Sequence, residues 1–434
     1  MKKIVPIIIL TIFSAFFIFY RFVDIPKYLA FDEVEFAKLA LSLDNKPYIP
    51  YSQLATGHST LYFYILLASL KTFGINTFAL RFPAAIFGIL SVMIFYLIMQ
   101  NIYQKNKILD TKYLILNTLI LLSSRWFLNF ARFSFEATFL LFLELMSIYF
   151  LLLANAPITN FLRLGIPPKG EGSHWRQKIS LSSINLILSG LFAGFAFLSY
   201  TPGRIFFLLP MGFLLFRKQF NNETMKQLLL FLIPFVIIIT PLTSYLFTNK
   251  DPRIDQQFFL KNHEMTISEK INGLWSNFSS TTLMFFTKGD MNGRHNYPGK
   301  PALNPILGIL FVIGFVTTMK QWNNNNNKLF LLYFFLSIFP ALMTYPWENP
   351  NMLRTYTVLP SVIFFIEIAI NNLNTSWTKI LSDKKKFVSC FLFLVILFSC
   401  LYELRTYFKY QSKVFKSSFE IKQPLNKALN LRLK

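Results

Sequence analysis

The chain has 434 residues, 54% hydrophobic and 18% aromatic, with 52 Phe and a net charge of +23. That is too apolar for a soluble domain of this size. Many nearly chargeless windows run for about 17 to 22 residues, the length that crosses roughly 30 Å of hydrocarbon. The apolar runs are continuous, not alternating, which excludes a membrane barrel and leaves an all-α polytopic membrane protein. In such a protein the positive charge reports loops that face an anionic leaflet. No basic stretch interleaved with exposed aromatics points to nucleic acid. The two cysteines, Cys390 and Cys400, share one apolar run. Ten residues of helix put them about 15 Å apart, too far to bridge.

The first span is expected at about Ile4–Tyr20. Its apolar part is long and no small-residue cleavage site follows, so it reads as a retained anchor. A mixed segment, Arg21–Thr77, comes next. It holds an acidic helix and a ten-residue apolar stretch, Leu61–Leu70. That stretch is too short to span and is expected to be interfacial or re-entrant. Later spans are expected at about Phe78–Tyr103, Tyr113–Asn129, Phe135–Ala154, Leu181–Tyr200, Arg204–Phe216, Gln227–Phe247, Ala302–Met319, Leu329–Tyr345, Thr355–Ile370 and Phe387–Leu404, which makes eleven.

Placing the N-terminus inside a cell membrane makes cytoplasmic loops of Gln104–Lys112, Asn155–Ser180, Arg217–Lys226, Lys320–Lys328 and Asn371–Lys386. They carry Lys105, Lys107, Arg163, Lys178, Arg217, Lys218, Lys384, Lys385 and Lys386 with few acids, as the positive-inside rule asks. The outer segments are then Arg21–Thr77, Phe130–Ser134, Thr201–Gly203, Thr248–Pro301, Pro346–Arg354 and the tail from Arg405. The tail is basic, against the rule, and has no assigned role. The membrane unit is taken as residues 1–404, with the tail as 405–434. The run Asn323–Asn327 reads as a loop tip.

The stretch FDEVEFAKLALSL, Phe31–Leu43, places acids just outside the membrane. On a helical wheel Glu35, Lys38 and Ser42 share one side, and Phe36, Leu39, Ala40 and Leu43 the other. Asp32 and Glu33 fall with the apolar group. Asp32 could cap the helix with Glu35 completing a capping box. Glu33 is not needed for that cap, which keeps a functional reading open.

Further charges stand at membrane level. Arg132 and Glu136 flank a junction in SRWFLNFARFSFEATF. They could pair with each other at i, i+4, or face a protein cavity, since charge in hydrocarbon costs at least about 2.5 kcal/mol. Glu144, deeper in the same span, could pair with a neighbouring helix. The loop TKGDMNGRHNYPGKP holds Lys288, Asp290, Arg294, His295 and Lys300. Its glycines and prolines make tight turns able to bring N–H groups to an anion, although a solvated basic loop would look the same. His58 precedes the short apolar stretch, and Arg354 begins a span from outside, where snorkelling is the plain explanation. The four His show no ligand spacing, which argues against a zinc site.

Carboxylates near the interface with cations around them suit one reaction class. A lipid-phosphate-linked sugar enters from the bilayer, and its phosphate needs cations as it departs. The attacking hydroxyl needs a base, and a partly desolvated carboxylate serves.

An N-terminal span, an outer loop with the pair Asp32–Glu33, and then KTFGINTFALRFPAAIFGILSV (Lys71–Val92) resemble the GT-C superfamily. The likeness is to family 39, the protein-O-mannosyltransferase and aminoarabinose-transferase-like group. The segments SRWFLNFARFSFEATF and GDMNGRHNYPG are similar to a bacterial branch, and the order of elements covers most of Met1–Pro301. The resemblance implies an inverting transferase with a polyprenyl-phosphate sugar as donor. It implies Asp32 as base with Glu33 beside it, Glu136 as a second acid, and Arg132 as a phosphate or substrate contact. Where relatives read HPP or KP, this chain has GHST, which leaves the role of His58 open. No metal or other cofactor is implied. The phosphate ligands are expected among His58, Arg132, Lys288, Asp290, Arg294, His295 and Arg354. The acceptor would be a lipid, glycan or protein hydroxyl on the outer face. An O-antigen ligase or polymerase would instead carry its chemistry in a late loop. A transporter or flippase would show two related halves, and no repeat is visible.

Overall fold

A computed structural model describes residues 4–104, 111–155, 171–217, 221–249, 251–380 and 385–430. The described chain is helical apart from one two-residue hairpin, Tyr51–Ser52 against His58–Ser59. The helices are α1 (Ile4–Phe19), α2 (Phe31–Ser42), α3 (Leu61–Phe73), α4 (Thr77–Gln104), α5 (Thr111–Ser123), α6 (Arg125–Ala131), α7 (Ala137–Ala154), α8 (Glu171–Phe197) and α9 (Leu208–Arg217). There follow α10 (Asn222–Thr248), α11 (Pro252–Gln257), α12 (Ile267–Phe286), α13 (Pro305–Lys320), α14 (Asn325–Leu342), α15 (Leu359–Ile380), α16 (Lys385–Arg405), α17 (Ser412–Ser418) and α18 (Leu425–Asn430).

Two packed layers form the bundle. One runs α1, α4, α7, α8, α10, and the other joins α13, α14, α15 and α16. Small residues set the closest approaches, as expected where lipid supplies no hydrophobic drive between helices. A Cβ on Gly190 of α8 would overlap the Phe231 carbonyl of α10, and one on Gly314 of α13 would overlap the Phe365 carbonyl of α15.

Each of the eleven expected apolar segments is helical, but the count of full spans changes. Among the described residues five helices are long and apolar enough to cross: Thr77–Tyr103, Ala137–Ala154, Asn222–Thr248, Tyr356–Trp377 and Phe387–Ser418. The segment expected as one span at Tyr113–Asn129 is a bent pair, α5 and α6, meeting at 64°. Counted as one crossing, it makes six. The other apolar helices are shorter. The stretch expected at Leu61–Leu70 is α3, 13 residues and so about 20 Å, packed on α2 and α4.

Three loops carry more structure than expected. Residues 248–301 contain α12, a 20-residue helix started by a Thr266–Glu269 capping box. Its Ser, Thr and Asn dilute the apolar signal. The Asn run turns at Asn323 and enters α14 at Asn325, capped by Asn324, with Asn327 buried on the Gln321 carbonyl. The tail continues α16 through a π-turn, Thr406–Gln411, into α17. It then returns so that Ile421 pairs with Leu29 just before α2. Its Tyr407, Phe415, Phe419 and Leu425 are buried. Among the expected inner-loop cations, Lys105, Lys107, Arg163, Lys218 and Lys384 lie outside the described residues.

Candidate active site

Helix α2 starts at Phe31, two residues earlier than an Asp32 cap requires. The capping carboxylate is Glu33, whose Oε2 accepts the Ala30 N–H at 3.1 Å. This leaves Asp32 with its side chain 43% exposed, facing a polar cavity of about 640 Å³. The cavity is bounded by α2, the His58 turn, α11, the 290–295 loop and the 347–354 turn. Arg294 Nη1 donates to Asp32 Oδ2 at 2.9 Å across its wall.

The 290–295 loop owes its shape to Asp290, which is 4% exposed. Its Oδ1 accepts the Asn292 N–H at 2.7 Å, and its Oδ2 lies 3.0 Å from His295 Nδ1 and accepts the Met352 N–H at 2.9 Å. Asp290 therefore ties the Arg294 loop to the turn that carries Arg354. From the bundle side, Asn129 Nδ2 donates to the Arg294 and His295 carbonyls at 2.7 and 3.1 Å. In the turn, Asn351 Oδ1 accepts the N–H groups of Leu353 and Arg354 at 3.1 and 3.0 Å. That presents the Arg354 guanidinium to the cavity beside Glu348, its ion-pair partner.

A third guanidinium comes from α11. Asp251 caps this helix, accepting the Arg253 N–H at 3.0 Å. The same carboxylate takes Arg204 Nη1 at 2.5 Å and the Tyr51 hydroxyl at 2.8 Å. Arg253 Nη1 reaches the His58 ring at 2.9 Å, and its guanidinium lies 5.3 Å from the Tyr200 ring centroid. Behind it, His58 Nδ1 sits 2.5 Å from Glu136 Oε1. With Nδ1–H donating to Glu136, Nε2 is left to accept from Arg253. Burial first, then Arg253, pushes the His58 ring below its usual range, against the pull of Glu136. Burial would push Glu136 up, but His58 and Arg253 outweigh it and hold the carboxyl low. A neutral imidazole bridging a carboxylate and a guanidinium follows.

Arg253 and Arg354 also border a second, apolar groove of about 260 Å³, floored by Pro202, Ile205, Phe258, Phe339, Pro340 and Met343. The two spaces share Tyr200, Arg253, Gln257 and Arg354. A polar cavity thus meets a greasy slot at a pair of guanidiniums.

No family model matches the sequence, and no curated protein matches it. Solved structures do. ArnT from Cupriavidus metallidurans, bound to undecaprenyl phosphate, superposes with a TM-score of 0.55 at 12% identity, over 96% of this chain and 76% of that one. The oligosaccharyltransferase AglB from Archaeoglobus fulgidus, in complex with an inhibitory peptide and a dolichol-phosphate, gives 0.55 at 13% identity. That match covers 96% of this chain and 56% of AglB, so the chain spans just over half of that relative. The chain has the GT-C fold.

On this GT-C frame, six of the ten residues singled out from sequence line one cavity: Asp32, His58, Asp290, Arg294, His295 and Arg354. Glu136 stands behind His58 and makes no pair with Arg132. Three do not reach the cavity. Glu33 is fully buried in an ion pair with Arg81, Nε to Oε1 at 2.7 Å. Arg132 is equally buried, facing α1 and the turn after it. It donates to the carbonyls of Phe17, Ile18, Arg21 and Ile25 at 2.6–3.3 Å. Lys288 is exposed and does not line the cavity. Glu144, as expected, finds a partner on a neighbouring helix, the Tyr333 hydroxyl at 2.7 Å. Missed from sequence were Arg253, Glu348 and Asn351. The signal for Arg253 was present in DPRID, an Asp cap with Pro at the first helical position.

Proposed function

We propose that the chain is an integral-membrane glycosyltransferase that moves a sugar from a polyprenyl-phosphate carrier to an acceptor hydroxyl. One observation carries the reading: a carboxylate, Asp32, faces a polar cavity that joins an apolar groove at Arg253 and Arg354. In this reading the polyprenyl chain lies in the groove, its phosphate rests between the two guanidiniums, and the sugar projects toward Asp32. The fold is shared with proteins solved with undecaprenyl phosphate and dolichol-phosphate, which supports a lipid phosphate as donor.

The chemistry then follows from the geometry. Asp32 takes the proton of the acceptor hydroxyl, and the oxygen attacks the anomeric carbon on the face opposite the phosphate. The bond from that carbon to the phosphate oxygen breaks. Its electron pair leaves on the phosphate, where Arg253 and Arg354 stabilise it. Attack opposite the leaving group inverts the anomeric centre. A phosphate is a weak base, so no acid is required, and guanidiniums meet its charge without a metal. Release of Arg294 from its 2.9 Å pair with Asp32 frees the base. The acceptor, a lipid, glycan or protein, enters from the outer face.

The test is transfer by membranes supplied with a panel of radiolabelled undecaprenyl-phosphate hexoses and pentoses, in wild type and Asp32→Asn. The variant is expected to lose about 10²–10⁴-fold in turnover. Equal transfer by both would remove Asp32 from the mechanism.

A further inference from the structure

We propose that the C-terminal segment 411–429 is a brace that sets the spacing of Asp32 and Arg294, with Glu420 and Ser418 as its positioning residues. The inference rests on the proposed role of Asp32. The two partners of that 2.9 Å pair are 262 residues apart in sequence, and each is referenced to the same short stretch.

On the Asp32 side, Leu29 and Ile421 exchange two backbone hydrogen bonds of 3.0 Å. Glu420 Oε2 then accepts the Phe31 N–H at 3.2 Å, immediately before Asp32. A carboxylate at the first turn of α2 meets the positive end of the helix dipole. On the Arg294 side, a Cβ on Gly293 would overlap Ser418 Oγ and come within 2.9 Å of Val414 Cγ1. The loop backbone therefore lies directly on α17. A second link runs from Gln411 Nε2 to Asn129 Oδ1 at 3.4 Å, and Asn129 holds the Arg294 carbonyl. The stretch itself is anchored. Phe419 is 0% exposed, with ring centroids 5.4 Å from Phe415 and 5.6 Å from Phe133. Helix α18 then lies against α2. Productive geometry must be held within about half an ångström, and a segment touching the residue before each partner, Phe31 and Gly293, does that.

The experiment uses the full chain, purified in detergent, with two readouts. The first is a spin-label distance between Glu35→Cys on α2 and Asn292→Cys on the loop, with Cys390 and Cys400 replaced by Ser. The second is steady-state transfer with the sugar of the panel that turns over. Glu420→Ala is expected to broaden the distance distribution and lower kcat about tenfold, with donor KM changed by no more than roughly twofold. Glu420→Gln, whose amide oxygen still accepts, should restore both. Gly293→Ala should act like Glu420→Ala, and adding Ser418→Gly should recover part of the loss. An unchanged distance distribution in both Glu420→Ala and Gly293→Ala overturns the brace. If kcat is also unchanged while Asp32→Asn is inactive, the brace fails and the site stands. If Asp32→Asn stays active, the site reading fails and the distance measurement alone decides the brace.

Discussion

Replacing Glu33 by Ala separates its two possible roles. Its carboxylate accepts from Arg81 Nε and Nη2 at 2.7 and 2.8 Å, from Ala30 N–H at 3.1 Å and from Ser134 N–H at 3.2 Å. Arg81 keeps the Pro26 and Tyr28 carbonyls at 2.6 and 2.8 Å, but these do not neutralise its charge. Both side chains are 0% exposed, so the variant leaves a buried guanidinium without its counter-ion. Losses of this kind run to about 3–5 kcal/mol, a large part of the roughly 5–15 kcal/mol that holds a typical fold. The expected result is a melting temperature lower by roughly 10 °C, followed by fluorescence during heating in detergent. Transfer per folded molecule should be largely retained. The double variant Glu33→Leu/Arg81→Met should recover much of the stability, since apolar residues of similar volume often replace a buried pair without penalty. If Glu33→Ala melts with wild type and yet abolishes transfer, the carboxylate belongs to the chemistry and the structural account is wrong.

Arg253→Gln should raise donor KM by about 10- to 100-fold, the loss of one charge-assisted contact, and Arg253→Lys should recover part of it. Competition by undecaprenyl phosphate measures this, and an unchanged KM in both variants would move the phosphate elsewhere. Because the folded His58 pKa lies below its usual 6.5, the neutral ring contributes stability in full above pH 6.5. That contribution is lost as pH falls from there toward the folded value. Melting temperature should therefore drop as pH is lowered below 6.5, with a shallower slope in His58→Asn; identical slopes count against a neutral His58. Transfer should survive a chelator, because guanidiniums meet the phosphate charge, and activity lost to the chelator but regained with Mg²⁺ or Mn²⁺ would contradict that.

Fold class was legible because continuous apolar runs have few other homes. The cluster of Asp32, Arg294, His295 and Arg354 was legible because charges beside membrane spans need a cavity. What failed was partner choice. Arg132 and Glu136 are four residues apart, yet they sit on either side of the break before α7, so the helical spacing rule did not apply. Glu33 looked spare only while the helix was taken to start after Asp32. A two-residue shift in its start exchanged the roles of the two acids. Arg81 sits inside an apolar helix and reads as an isolated charge until Glu33 folds onto it. The tail is rich in Lys, and its buried Tyr407, Phe415 and Phe419 are too widely spaced to show a period.

If the apolar groove beside Arg253 and Arg354 takes the lipid chain as proposed, that changes what concentration means for the donor. A molecule with a long isoprenoid tail partitions into the membrane and reaches such a slot by lateral diffusion in two dimensions. Its supply then depends on its mole fraction among the lipids, not on its molarity in the sample. Diluting with detergent at fixed donor should slow the reaction as an inhibitor would, without any change in the protein.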